Sequence, residues 1–203
     1  RRLATDARGR HAFGLALDVG ASRSGAGTPA RINAWAERDL AAREPATLSP
    51  GTEQGTLCAF ACARGAIAVA GLDHHAPGDG AFPPSSLGPL PWGRKDALPA
   101  PLVAAPAHRI WGAQSKTGGL TPTSGTSAAA ALVSGLVAVL MQRALAERGQ
   151  VCGDGIAAAL AAGAGTTGVQ SRSAAAWSPR HGFGIARMSH TSEERVHDRA
   201  CAS

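Results

Sequence analysis

Ser124-Gly125-Thr126-Ser127-Ala128-Ala129-Ala130-Ala131-Leu132-Val133-Ser134-Gly135 begins the long run from Ser127 to Glu147 in which Ala, Leu, Val and Met fall on every side. That composition is expected of a helix buried in a domain core. The small residues Ala128 to Ala131, Ser134 and Gly135 permit close approach of neighbouring backbone. A serine in the first turn of such a helix has an unpaired N–H, with the positive end of the helix dipole behind it. Those groups can stabilise an oxyanion. Gly125 has no side chain to hold a substrate backbone away, and Thr126 can cap the helix. The same residues also suit a plain core helix capped by Thr126 and Ser127, because Ser or Thr commonly precedes an apolar run.

Working outward, Ala66 to Gly71 (AIAVAG) is short, carries the β-branched Ile67 and Val69 and ends at glycine. It suits a buried strand of a parallel sheet. From His74 to Pro101 proline and glycine are so frequent that the chain is expected to run over the surface and to form no helix. Leu102 to Ala104 reads as a brief strand, Gly155 to Ala162 as a short helix, and His181 to Ala186 (HGFGIA) as a glycine-punctuated strand or turn. Residues 1–56 read as loop with short strands, His11 to Val19 among them. The expected division is a β-rich or linking segment over 1–56, a main α/β unit over 57–190 and a polar tail over 191–203.

The Ser124 to Gly135 stretch resembles the serine motif of the subtilisin-like peptidases, G-T-S-x-A-x-P-x-V-A-G. Other segments resemble the same family in the expected order. Ala66 to Asp73 (AIAVAGLD) is similar to its I-x-V-G-A-x-D strand, Phe82 to Pro89 (FPPSSLGP) to its F-S-S-x-G-P loop, and Leu102 to Ala107 (LVAAPA) to L-V-A-P-G. Gly182 to Ala186 (GFGIA) resembles its glycine-rich closing strand. Upstream, Arg31 to Asp39 and Ser49 to Gly55 are similar to an inserted section of some large bacterial members. The resemblance implies an α/β fold with a mostly parallel sheet flanked by helices, incomplete on its N-terminal side. It also implies serine endopeptidase chemistry with Ser127 as nucleophile and backbone oxyanion donor, Ser124, Gly125 and Thr126 along the substrate, and a peptide or protein as substrate.

Departures from the family pattern are equally specific. No G-H-G-T-H histidine motif occurs, and the seven histidines stand in other contexts. Asp18-Val19-Gly20 is only a faint echo of D-[ST]-G, and Asn33, the single asparagine, does not sit in A-G-N. Ala131 replaces the usual proline, Ser134 an alanine and Ala107 a glycine. A serine hydroxyl is a poor nucleophile unless a histidine takes its proton and a carboxylate holds that histidine. The expectation is a chain inactive by itself, whose missing groups lie on an upstream segment of the same protein. The alternative is a non-catalytic pseudo-peptidase module that binds a peptide or partner protein.

Composition narrows the remaining classes. With 203 residues, 44% hydrophobic content and 17% charged, the chain can bury a substantial core and does not have the composition of a disordered one. Its 26 glycines, 4% aromatics and absence of tyrosine require a core of small side chains. A net charge of +6 raises nucleic-acid binding, but the arginines near both ends are interleaved with acids and form no dense basic stripe. No specific nucleic-acid partner is expected. The longest apolar run, Ala128 to Met141, has 14 residues, short of the roughly 18 needed to span a bilayer, so no membrane span is expected. Cys58, Cys62, Cys152 and Cys201 are too few and too uneven for a disulfide scaffold. Cys58 and Cys62 would share a helical face as packing residues. Asp73, His74, His75 and Asp79 read as a solvated loop, so no metal and no cofactor is assigned.

Overall fold

The computed structural model describes residues 2–5, 11–13, 54–63, 65–90, 98–165 and 177–188. The chain divides into two compact units, residues 1–34 and 35–203. In the first, β1 (Arg2–Thr5) pairs antiparallel with β2 (His11–Phe13), Thr5 opposite His11. The rest of the expected strand at His11 to Val19, the sections at Arg31 to Asp39 and Ser49 to Glu53, and the tail over 191–203 lie outside the described residues.

In the second unit, the run AIAVAGL supplies β3 (Val69–Leu72), and the segment after Pro101 supplies β4 (Val103–Pro106). They pair in parallel, Val69 opposite Val103 and Leu72 opposite Pro106. The other side of β4 receives the closing segment. The Ala104 N–H donates to Gly184 O and the Ala186 N–H to Ala104 O, each at 2.8 Å, giving a parallel bridge between Ala104 and Ile185. Val103 and Ala104 have no exposed surface because β4 is central, which is why the sequence there is apolar without alternation. An antiparallel hairpin follows, β5 (Ile110–Ala113) with β6 (Leu120–Thr123), and leads into α1 (Thr126–Arg148). A second helix, α2 (Gly153–Gly163), packs its Ile156, Ala157 and Leu160 into the core shared with Leu102, Val103, Ala129 and Val133. This is an α/β arrangement with a parallel sheet and helices.

Two expectations for α1 need correction. The helix is not buried on all sides: Ala129, Val133, Leu140 and Ala144 form one buried stripe, while Leu132, Val139, Met141 and Leu145 are between 40% and 53% exposed. A narrow sheet can cover only the face turned toward it, whatever the sequence places on the others. Nor does the 14-residue count bound the helix. Thr126–Glu147 is 22 residues long with a mean hydropathy of 1.7, enough by length and composition to cross a bilayer. Its buried stripe lies in the same core as β4 residues Val103 and Ala105, while most of the apolar window is exposed.

Smaller departures have local causes. Cys58 and Cys62 flank and end a 3₁₀ turn (Ala59–Cys62), not a helical face, and burial, with the nearby Cys58, pushes the Cys62 thiol up. Cys152 caps α2, its Sγ accepting from the Gly155 N–H at 3.3 Å, while Asp154 sits at the positive end of that helix.

His181 gives the fold a pH dependence. The residue is buried, its N–H donates to Ser178 Oγ at 3.0 Å, and its Nε2 has no hydrogen-bond partner among the described residues. Burial depresses its pKa; Asp79 opposes this and Arg180 adds to it. A histidine whose folded pKa lies below its ordinary value near 6.5 stabilises the fold fully above that value. The contribution is lost as pH falls through the interval down to the folded pKa, at about 1.4 kcal/mol per unit of depression. The melting midpoint is expected to fall between pH 7.5 and 5, and His181→Phe to remove part of that slope. Parallel pH profiles of the two proteins would contradict this.

Candidate functional site

The turn that presents Ser127 is fixed by its neighbours before the helix begins. Gly125 takes φ +152°, a conformation that L side chains rarely adopt, and so stands just ahead of the helix as its N-cap residue. Thr126 is therefore the first helical residue and not the cap, which corrects the expectation from sequence; no side chain caps this helix. Instead the Thr126 methyl group packs inward. A Cβ added at Gly71 would meet Phe82, Ala107 and the Thr126 Cγ2, so these groups close over the glycine in the middle of β3.

One backbone bond and one to a side-chain hydroxyl hold the turn to the end of β4. The Gly125 N–H donates to Ala107 O at 2.8 Å, and the Arg109 N–H to Ser124 Oγ at 2.9 Å. Ala107 is tied in turn to β3 through its N–H and Leu72 O, 2.7 Å apart. The Ala128 N–H turns back to Gly125 O at 3.0 Å. The N–H groups of Thr126 and Ser127 make no hydrogen bond among the described residues, as first-turn donors of a helix often do not. Ser127 is exposed. Ser124, Gly125, Thr126 and Ser127 thus occupy one turn at the carboxyl end of the parallel pair, where ligands collect in open α/β sheets. The Ser124 hydroxyl is engaged with Arg109, the Thr126 methyl with the core, and Ser127 faces outward.

A feature unseen from sequence spacing lies at the same end of the sheet. Asp73 follows β3 and His108 follows β4 by one residue more, and the His108 Nδ1 and Asp73 Oδ2 are 2.9 Å apart. The other Asp73 oxygen accepts the His75 N–H at 2.9 Å. Desolvation pushes the Asp73 carboxyl up, but the hydrogen bonds from His75 and His108, with the fields of those two imidazoles, together hold it below the ordinary carboxylate value. The His108 ring stacks on Phe82 with centroids 6.3 Å apart, and the His75 ring meets it edge-on at 5.9 Å. His74 lies 3.9 Å from His75. The two partners are 35 residues apart, and only the parallel pairing of Leu72 with Pro106 brings them together. Among the described residues no group of three or more His, Cys, Asp and Glu is arranged to hold a metal ion.

Comparison with known proteins bears on this site. Residues 31–184 match the family model of the subtilase family, peptidase S8. Among solved structures, the CspB protease of Clostridium perfringens is similar with a TM-score of 0.52 and 26% identity, over 66% of this chain and 27% of that one. The chain therefore spans about a quarter of that protease. No curated protein matches.

Proposed function

The chain belongs to the subtilase family, and on that premise we propose that it carries the nucleophile of a serine endopeptidase, Ser127, without the groups that activate it. The observation that supports this best is the exposed position of Ser127 in the first turn of α1, at the carboxyl end of the parallel strands. In the proposed reaction Ser127 Oγ bonds to the scissile carbonyl carbon as its proton passes to a histidine, and the Ser127 N–H donates to the oxygen that becomes negative. The same proton then goes to the leaving amine. Ser124, Gly125 and Thr126 flank the bound peptide through their backbone. The histidine, its aspartate and the oxyanion asparagine come from a segment that carries D-[ST]-G, G-H-G-T-H and A-G-N, none of which the 203 residues contain.

The test is complementation. Joining a segment with those three motifs to the N-terminal side should produce hydrolysis of unfolded protein that disappears in Ser127→Ala. A second reading, a pseudo-peptidase that binds a peptide or partner protein, is favoured by the same missing motifs. It predicts peptide binding to the chain alone, measured by fluorescence anisotropy, with no hydrolysis after complementation.

A further inference from the structure

We propose that Asp73 and His108 form a positioning clamp for the turn that presents Ser127. The inference rests on Ser127 as nucleophile and adds two residues that act on it through the turn. His108 lies between the two residues that anchor the turn: Ala107 accepts from the Gly125 N–H, and Arg109 donates to Ser124 Oγ. The backbone at Arg109 has φ +52°, a left-handed conformation that is costly for a residue with a side chain and that persists only where its surroundings impose it.

Those surroundings are identifiable. The His108 ring is held on one side by Asp73 and stacked on Phe82, and Phe82 belongs to the group that closes over Gly71 with Ala107 and Thr126. Asp73 is itself fixed at three points. Its N–H donates to Gly80 O at 2.8 Å, one carboxylate oxygen accepts from His75 and the other meets His108. Its side chain is 15% exposed and that of His108 37%, so Asp73 is the sheltered partner. The carboxylate fixes the ring through Nδ1, the ring fixes residue 108, and residue 108 sets the spacing of the two anchors. Displacing a nucleophile by about 1 Å can cost on the order of 100-fold in rate, which gives the clamp a catalytic consequence.

The test uses amide NMR spectra of the 203-residue chain, with the amides of Ala157 and Leu160 in α2 as fold reporters. His108→Ala and Asp73→Ala should shift the amides of Gly125, Thr126 and Ser127 while the α2 reporters stay in place. His108→Asn, whose side-chain amide can donate to Asp73 near where Nδ1 stood, should restore them toward the wild-type positions. Unchanged Gly125 to Ser127 amides in both alanine variants would overturn the proposal, as would an equal shift in His108→Asn.

Should an alanine variant lose its α2 signals, His108→Phe answers the same question, because it keeps a ring against Phe82 but offers Asp73 no donor. Its turn amides should shift as in His108→Ala, and turn amides at the wild-type positions overturn the clamp. In the complemented protein, His108→Ala should slow fluorophosphonate labelling of Ser127 about tenfold or more, and His108→Asn should recover most of it. An unlabelled wild-type complemented protein would sink the nucleophile reading instead, leaving the amide result to stand on its own.

Discussion

A fluorophosphonate probe will leave the 203-residue chain unlabelled and will label Ser127 once a segment carrying the missing histidine, aspartate and asparagine is joined to it. The probe reacts, with loss of fluoride, at serines whose hydroxyl is made nucleophilic by a base, and oxyanion donors hold the phosphonyl oxygen of the product. Ser127 has the helix terminus and its own N–H. The family's histidine, aspartate and asparagine motifs are not in the sequence. Loss of one oxyanion-hole donor alone costs about 10²–10³ in kcat, and loss of the base costs more, so the contrast between the two proteins should be close to all or none. Gel fluorescence followed by peptide mapping reads the result, with Ser127→Ala as control. Labelling of the lone chain that vanishes in Ser127→Ala would falsify the incomplete-site reading while leaving Ser127 as nucleophile. If that labelling also vanished in His108→Asn, His108 would be the base, since Nδ1 on Asp73 leaves Nε2 available, the same arrangement by which a carboxylate orients a catalytic imidazole.

The features legible in the sequence were those that depend on neighbours in the chain. The strands expected at Ala66 to Gly71 and Leu102 to Ala104 were readable because β-branched and small apolar residues run there without alternation; the observed strands, Val69–Leu72 and Val103–Pro106, start later and run one and two residues further. The start of α1 was readable to within a residue because glycine precedes an uninterrupted helical composition, and its end at Gly149 is a left-handed cap of the usual kind. What escaped depends on partners far away in sequence. Thr126 was expected to cap α1 because its type suits that role, but Gly71 offers its methyl group a site against β3, and the glycine before it takes the cap position. The exposure of Leu132 and Leu145 could not be read from a helix that is apolar on every side, since only the width of the sheet decides which side is covered. The Asp73–His108 pair was invisible for the same reason: two residues 35 apart become neighbours only once strand order and direction are known.

Gly182→Ala is expected to destabilise the fold by about 3 kcal/mol or more, a large part of the 5–15 kcal/mol typical of a whole domain. Gly182 has φ +61°, so any side chain there carries backbone strain. An added Cβ would also collide with the carbonyl of Leu102 and lie 2.6 Å from Pro101 O. These are backbone atoms, with no rotamer through which they could withdraw. Leu102 and Pro101 are fully or almost fully buried, and the Leu102 carbonyl accepts from the Phe183 N–H at 2.8 Å, so retreat would separate β4 from the closing segment. Strain and overpacking each cost about 1–3 kcal/mol, and here both act at the residue that begins the third strand-like element of the sheet. Gly112→Ala in β5 provides the control, because no atom lies within 4 Å of its added Cβ and its φ is outside the glycine-favouring region. That change should move stability by no more than about 0.5 kcal/mol. Urea unfolding followed by circular dichroism distinguishes the two. A Gly182→Ala midpoint matching wild type, with Gly112→Ala equally unaffected, would mean that the glycine-rich closing segment does not pack against β4 as described.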